Sequence, residues 1–224
     1  MAGDRGDASR PYRSALREDQ ARATRRRIVD AARDLFVEHG YARTTIDAIA
    51  ARADVSRKTV FTAVGGKSAL LKLAWDWALA GDDEPVAIAD RAEVRRMAAE
   101  RDPDRIVADW ARLQATIATR LTAPYHVLVV AADADPEAAE LLAFNEGNRA
   151  AGARAFIEHL AGAGGLRDDL DAEQASAIAE VLMDPAPAGR LVGEHGWALE
   201  EYIAFVERSA RALLLRPPDA LTRR

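Results

Sequence analysis

The sequence predicts an all-α protein in which a small N-terminal group of helices precedes a larger helical domain. Two observations carry this. Apolar residues recur three and four positions apart along most of the 224 residues, the spacing that lines one face of a helix, and no strand-like alternation competes. Cap residues and glycines punctuate these stretches at helical lengths: Thr44, Thr45, Ser56, Asp102-Pro103 and Asp135-Pro136 as starts, Gly40, Gly65-Gly66 and Gly164-Gly165 as stops.

Residues 1–20 are rich in Gly, Asp, Arg and Ser without periodicity and read as a flexible basic arm. From Thr24 the pattern changes: Ile28, Ala31, Ala32, Leu35 and Phe36 form the stripe of an amphipathic helix that Gly40 ends, with His39 at its carbonyl end. Thr44 and Thr45 are N-cap candidates for a short second helix with Ile46, Ile49, Ala50 and Ala53 on its buried face. Asp54 suits a tight turn, Val55 plugs the junction and Ser56 caps a third helix. In that helix Val60 and Val64 face inward while Arg57, Lys58, Thr59 and Thr62 face out. Gly65 and Gly66 break the chain again, and a fourth helix opens at Lys67 through Leu70, Leu71, Ala74 and Trp75.

Two short helices joined by three residues and braced by a longer one form a helix-turn-helix unit, which lays its second helix in the DNA major groove. Arg, Lys, Thr and Ser on the outward face are the types that contact guanine edges and phosphates. An ordinary packed trio of helices is the alternative. Up to Gly81 there are 15 Lys and Arg against 10 Asp and Glu, and beyond it 16 against 26, within a total of −5; the basic end is the better partner for nucleic acid, but charge alone favours a solvated charged face, so the motif decides.

"GGKS" at residues 65–68 raises the possibility of a phosphate-binding loop, but the first glycine of Gly-x-x-x-x-Gly-Lys-Ser would fall at Phe61, which cannot make that turn. The segment reads as a break between helices. With no cysteine, thiolate catalysis, disulfides and cysteine-ligated zinc are excluded. There is no run of eighteen apolar residues and no signal-peptide-like start, so neither membrane insertion nor export is expected and the location is read as cytoplasmic.

The stretch from 24 to about 79, above all "TTIDAIAARADVSRKTVFTAVGGKSALLKLAWD", resembles the N-terminal DNA-binding domain of TetR-type transcriptional regulators. The resemblance implies an all-helical homodimer whose C-terminal domain binds a small molecule and controls the spacing of two DNA-reading heads. It divides the chain into the arm at 1–20, a DNA-binding domain at 21–80 and a ligand-binding and dimerisation domain at 81–224. Thr45, beside Thr44, resembles the phosphate-contacting cap; Ser56, Arg57, Lys58, Thr59 and Thr62 resemble the groove-facing set; Lys67 resembles a phosphate clamp. Two positions depart from the family pattern. Asp54 stands where glycine is usual, a change the turn should survive because aspartate visits the left-handed region more readily than most residues. Phe61 stands where tyrosine is usual, so a hydroxyl contact to phosphate is absent within the DNA-binding set.

Beyond Gly81, "GDDEPVAIAD" reads as a linker. Ile106, Val107, Trp110, Leu113 and Ile117 then mark a helix to about Leu121, Pro124 should interrupt the next near its start, and Asp135-Pro136 opens a long one through Leu141, Phe144, Phe156 and Leu160. Residues 171–192, broken near Pro185 and Pro187, and 197–215 complete the domain. The resemblance implies that the last two helices pair with those of a second copy, through residues such as Leu182, Leu191, Val192, Tyr202, Phe205, Val206, Ala210, Leu213 and Leu214; a monomer core would look the same. An effector pocket is expected among the middle helices, where Trp110, Leu113, Ile117, Tyr125, Leu128, Phe144, Asn145, Asn148 and Arg149 combine apolar lining with polar anchors.

Three of the four histidines, His39, His159 and His195, follow a glutamate. Neighbours on a helix point about 100° apart, so these pairs do not converge on one ion, and no metal site, cofactor or catalytic residue is expected. No nucleophile elbow or dinucleotide loop appears. The expected partners are a double-stranded DNA operator, a small-molecule effector of unknown identity and a second copy of the chain. The function so read is a ligand-responsive transcriptional regulator, a repressor that binds a palindromic operator and is released by its effector. The alternative is a helical small-molecule-binding or enzymatic protein with a vestigial DNA-binding head.

Overall fold

The computed structural model describes residues 9–217, and among them every regular element is helical. The chain divides between Ala74 and Trp75 into two units. The first holds α1 (Ser9–His39), α2 (Ile46–Arg52), α3 (Arg57–Ala63) and the start of α4 (Lys67–Ala80). In the second are the end of α4, α5 (Ala92–Ala99), α6 (Pro103–Ala132), α7 (Pro136–Gly162), α8 (Ala172–Leu182), α9 (Pro185–Ala188) and α10 (Leu199–Leu214).

The first unit is built on the stripe the spacing predicts. Ile28, Ala32, Leu35 and Phe36 of α1 are buried, as are Ile49 of α2 and Val60 of α3, and α1 packs against both short helices. Gly40, at φ +79°, turns the chain after α1, and Tyr41 folds back so that its ring lies 5.4 Å from that of Phe36. The Thr45 hydroxyl accepts from the Ala48 N–H at 3.1 Å and caps α2; the Ser56 hydroxyl accepts from the Thr59 N–H at 3.0 Å and caps α3. Asp54 takes φ 52°, the sole left-handed non-glycine among the described residues, so the turn is made with aspartate as the sequence reading allows. Bidentate bonds from Arg52 to Glu38, at 2.8 and 3.1 Å, tie α2 to α1 and hold the Glu38 carboxyl below its ordinary range.

In the second unit, α6 packs against α7, α9 and α10, and α7 against α8. Ala111, Ala115 and Ala118 on α6 and Ala210 on α10 are buried, small residues that let helix backbones approach closely. At the centre the Trp110 and Phe156 rings stack with centroids 4.1 Å apart. Tyr202 lies in the same core, and burial pushes its phenol up to about 12.

Three sequence expectations are corrected. The arm does not run to residue 20: α1 already begins at Ser9, because serine and a proline near the start suit a helix entry and the Ala, Arg, Glu and Gln that follow are strong helix formers. The expectation for residues 1–8 lies outside the described residues. The linker expected at 81–90 carries a single 3₁₀ turn at Ile88–Asp90, and α5, which the sequence reading does not single out, follows it and contributes Met97 to the core edge. Pro124 does not interrupt a helix. It sits inside a continuous α6 and is buried, so packing offsets the roughly 3 kcal/mol that an internal proline costs. Tyr202, Val206, Ala210 and Leu214 are buried within this chain and serve its own core, leaving Leu213 as the member of that set with an exposed side chain.

Arg91 and Asp82 form a bidentate pair at 2.6 and 2.9 Å, and Asp82 also accepts from the Glu84 N–H. The Arg91 hydrogen bonds, then that N–H, lower the Asp82 carboxyl to about 2. At Gly81, φ +89°, the Arg120 guanidinium occupies the space a Cβ would need, and its Nη2 donates to the Leu79 carbonyl at 3.2 Å, capping the end of α4.

Candidate nucleic-acid interface

The sequence folds α3 outward for a local reason. Val60 is fully buried, and around it Ser56, Arg57, Lys58, Phe61 and Thr62 are exposed and Thr59 half-buried. A seven-residue helix cannot hold itself together in water, so α3 depends on its Ser56 cap, on Val60 and on Arg25, whose Nε donates to the Ala63 carbonyl at 3.1 Å. That bond places an α1 cation at the negative end of α3. With a length of about 10 Å and a diameter of about 10–12 Å, such a helix matches a major groove about 12 Å wide.

The polar side chains on this face differ in how much they are already engaged. Thr62 Oγ1 donates to the Lys58 carbonyl at 2.9 Å and Thr59 Oγ1 lies 2.8 Å from Ser56 Oγ. Arg57 Nη1 donates to both carboxylate oxygens of Asp47, at 2.9 and 3.2 Å, and the guanidinium carbon lies 5.7 Å from the Phe61 ring centroid. Lys67, half-buried, donates to the Tyr41 carbonyl at 3.0 Å and stands 4.1 Å from the Tyr41 ring centroid. Both contacts position its ammonium at the mouth of α4 and leave two of its three protons for another acceptor.

Thr44 leaves the DNA-binding set. It is buried, and its hydroxyl reaches the Leu35 carbonyl at 3.0 Å and the Gly40 carbonyl at 2.9 Å. Of two adjacent threonines the second caps α2, so the first turns inward to satisfy the end of α1. Sequence reasoning missed Asp47 and Arg25. The signal for Asp47 is an acid in the first turn of α2 facing a helix that opens on a cation; nothing in the spacing of Arg25 announces its reach to Ala63.

The residues expected to line an effector pocket separate into two groups. Trp110, Ile117 and Leu128 are buried and Leu113, Tyr125, Asn145 and Arg149 partly so, with Tyr125 6.4 Å ring to ring from Trp75. Phe144 and Asn148 are instead exposed on α7 and line no interior, because a helix with interior contacts on one side turns its other residues out. Trp110 Nε1 and Asn145 Nδ2 are buried donors that find no hydrogen-bond acceptor among the described residues. Arg149 stands 4.0 Å from Glu180 and 3.8 Å from Asp184. No group of three or more His, Cys, Asp or Glu is placed to hold a metal ion among the described residues, and no described helix is long and apolar enough to cross a membrane.

Two short helices braced by α1, joined to an all-helical second unit, are the architecture found in helix-turn-helix DNA-binding proteins. Residues 28–74 match the model of the bacterial regulatory proteins of the tetR family. The HTH-type transcriptional repressor Rv1474c of Mycobacterium tuberculosis is 26% identical over 198 residues, covering 87% of this chain and 96% of that protein. Among solved structures, SmeT bound to triclosan superposes with TM-score 0.62 at 21% identity, covering 87% of this chain and 93% of its own. NalD, the secondary repressor of the MexAB-OprM multidrug efflux pump in Pseudomonas aeruginosa, gives TM-score 0.62 at 17% identity, with 88% and 100% covered. The chain is thus similar to transcriptional regulators of the tetR family, by the family model over residues 28–74 and by one repressor of that type over most of its length.

Proposed function

We propose that this protein is a repressor that binds a palindromic operator as a homodimer and releases it when a small molecule occupies the second unit. The outward cationic face of α3, anchored by the buried Val60, is the observation that carries the reading. Arg57 and Lys58 supply charge for guanine edges and phosphates, Thr45, Ser56, Thr59 and Thr62 supply shorter polar contacts, Phe61 an apolar one, and Lys67 a phosphate contact. Two-fold symmetry of the protein sets the half-site spacing.

The effector site is assigned to Trp110, Leu113, Ile117, Tyr125, Leu128, Asn145 and Arg149, with the unsatisfied Trp110 and Asn145 donors suited to a ligand that brings acceptors to an apolar surface. The complex of the similar SmeT with triclosan supports an apolar effector. Effector and DNA then weaken each other through one shared coupling energy. Selection of bound sequences from random duplex DNA tests the proposal. Enrichment of a palindrome supports it; no enrichment at low salt would favour a helical ligand-binding protein with a vestigial head.

A further inference from the structure

From the geometry around Arg57 we infer that Asp47, on the non-reading helix α2, is a positioning residue for DNA specificity. The inference rests on the DNA-reading role of α3. Arg57 opens α3, where a cation meets the positive end of the helix and gains nothing from it. Two neighbours hold it there: the Asp47 carboxylate, through both oxygens, and the Phe61 ring one helical turn on, under the guanidinium. All three side chains are exposed, so no core packing requires the arrangement.

The pair uses the fork of Arg57 in a particular way. Both bonds to Asp47 run from Nη1. Nη2 and Nε, the other edge of the planar guanidinium, are not spent on the pair and form a side-on fork of the kind that donates two parallel hydrogen bonds to guanine O6 and N7. Asp47 thus selects which edge of Arg57 is presented and stops the side chain from swinging to the nearer phosphates. It does so at a cost in raw affinity, because its own carboxylate repels the DNA backbone. Phe61 fits the same role, because its ring gives the guanidinium a platform.

These two effects of Asp47 have opposite signs, which a merely structural residue would not produce. In Asp47→Ala the preference for one base pair in each half-site falls about fivefold or more, toward the profile of Arg57→Ala, because an unaimed arginine loses part of the discrimination a bidentate contact supplies. Binding to random-sequence duplex at about 0.1 M salt rises roughly two- to threefold as one backbone-facing negative charge is removed. In the Arg57→Ala background, Asp47→Ala changes the base preference no further. Far-ultraviolet circular dichroism and thermal unfolding confirm that each full-length variant is folded. An Asp47→Ala protein that keeps the wild-type base preference, or that loses affinity equally for all sequences, overturns the inference. Wild-type protein that selects no sequence defeats the DNA-reading role itself, a result distinct from either of these.

Discussion

Replacing Ser56 separates what the N-terminus of α3 does for the fold from what it does for DNA. Ser56→Ala removes the oxygen that accepts the Thr59 N–H at 3.0 Å, and loss of such a cap costs about 1 kcal/mol, within a range of about 0.5–2. Because α3 has seven residues, little else restrains its first turn. The first unit should therefore unfold at lower urea, and operator affinity should fall by up to about fivefold, the equivalent of about 1 kcal/mol spent reordering the turn. Ser56→Asp keeps a cap acceptor and adds an anion at the positive end of the helix, worth about 0.3–1 kcal/mol, so its stability should equal or exceed wild type. Its DNA binding should nevertheless be weaker than that of Ser56→Ala, because the carboxylate faces phosphate. Urea titration followed by circular dichroism and fluorescence anisotropy with labelled duplex measure the two effects. An aspartate variant that binds operator as well as wild type at low salt would refute the placement of α3 against the DNA backbone.

Other outcomes follow from the same structure. Thr44→Val should destabilise the first unit by about 1–3 kcal/mol, since a buried hydroxyl bonded to Leu35 and Gly40 carbonyls is lost, while the folded fraction keeps its DNA affinity and base preference; an anisotropy titration corrected for unfolded protein checks this. Gly81→Ala should cost about 1–2 kcal/mol for the left-handed backbone plus the displacement of Arg120, so in an Arg120→Ala background the same change should cost less, a coupling that a double-mutant cycle in urea reads. Asp82, with its carboxyl lowered to about 2, stabilises the segment after α4 above the ordinary carboxylate range and loses that contribution as pH falls from about 4 to 2. Arg91→Ala should remove that acid-range dependence from amide exchange at residues 82–91, because the Arg91 hydrogen bonds are its first cause.

Much of the fold was legible because helical spacing and caps are local. Ile28 to Phe36, the glycine at 40 and the caps at 45 and 56 each announce themselves within a turn of chain, and Asp54 takes the left-handed turn its chemistry permits. Tertiary partners were not legible. Thr44 and Thr45 are identical in kind, and only the packing of α2 on α1 decides which faces inward. Pro124 reads as a breaker until burial within α6 offsets its missing N–H. α5 is only eight residues long, so its stripe of Val94, Met97 and Ala98 spans a single repeat, and the pairing of Asp47 with Arg57 joins residues ten apart across a turn, beyond the reach of helical periodicity.

Whether α3 enters the groove is tested most directly by titrating wild type, Arg57→Ala and Lys67→Ala against the selected duplex and a scrambled one over a range of salt. Arg57→Ala is expected to lose about 1–3 kcal/mol of preference for the selected sequence, and Lys67→Ala to weaken both duplexes alike while the salt slope falls by about one. Unchanged preference in the first variant together with an unchanged salt slope in the second would contradict a DNA-reading α3.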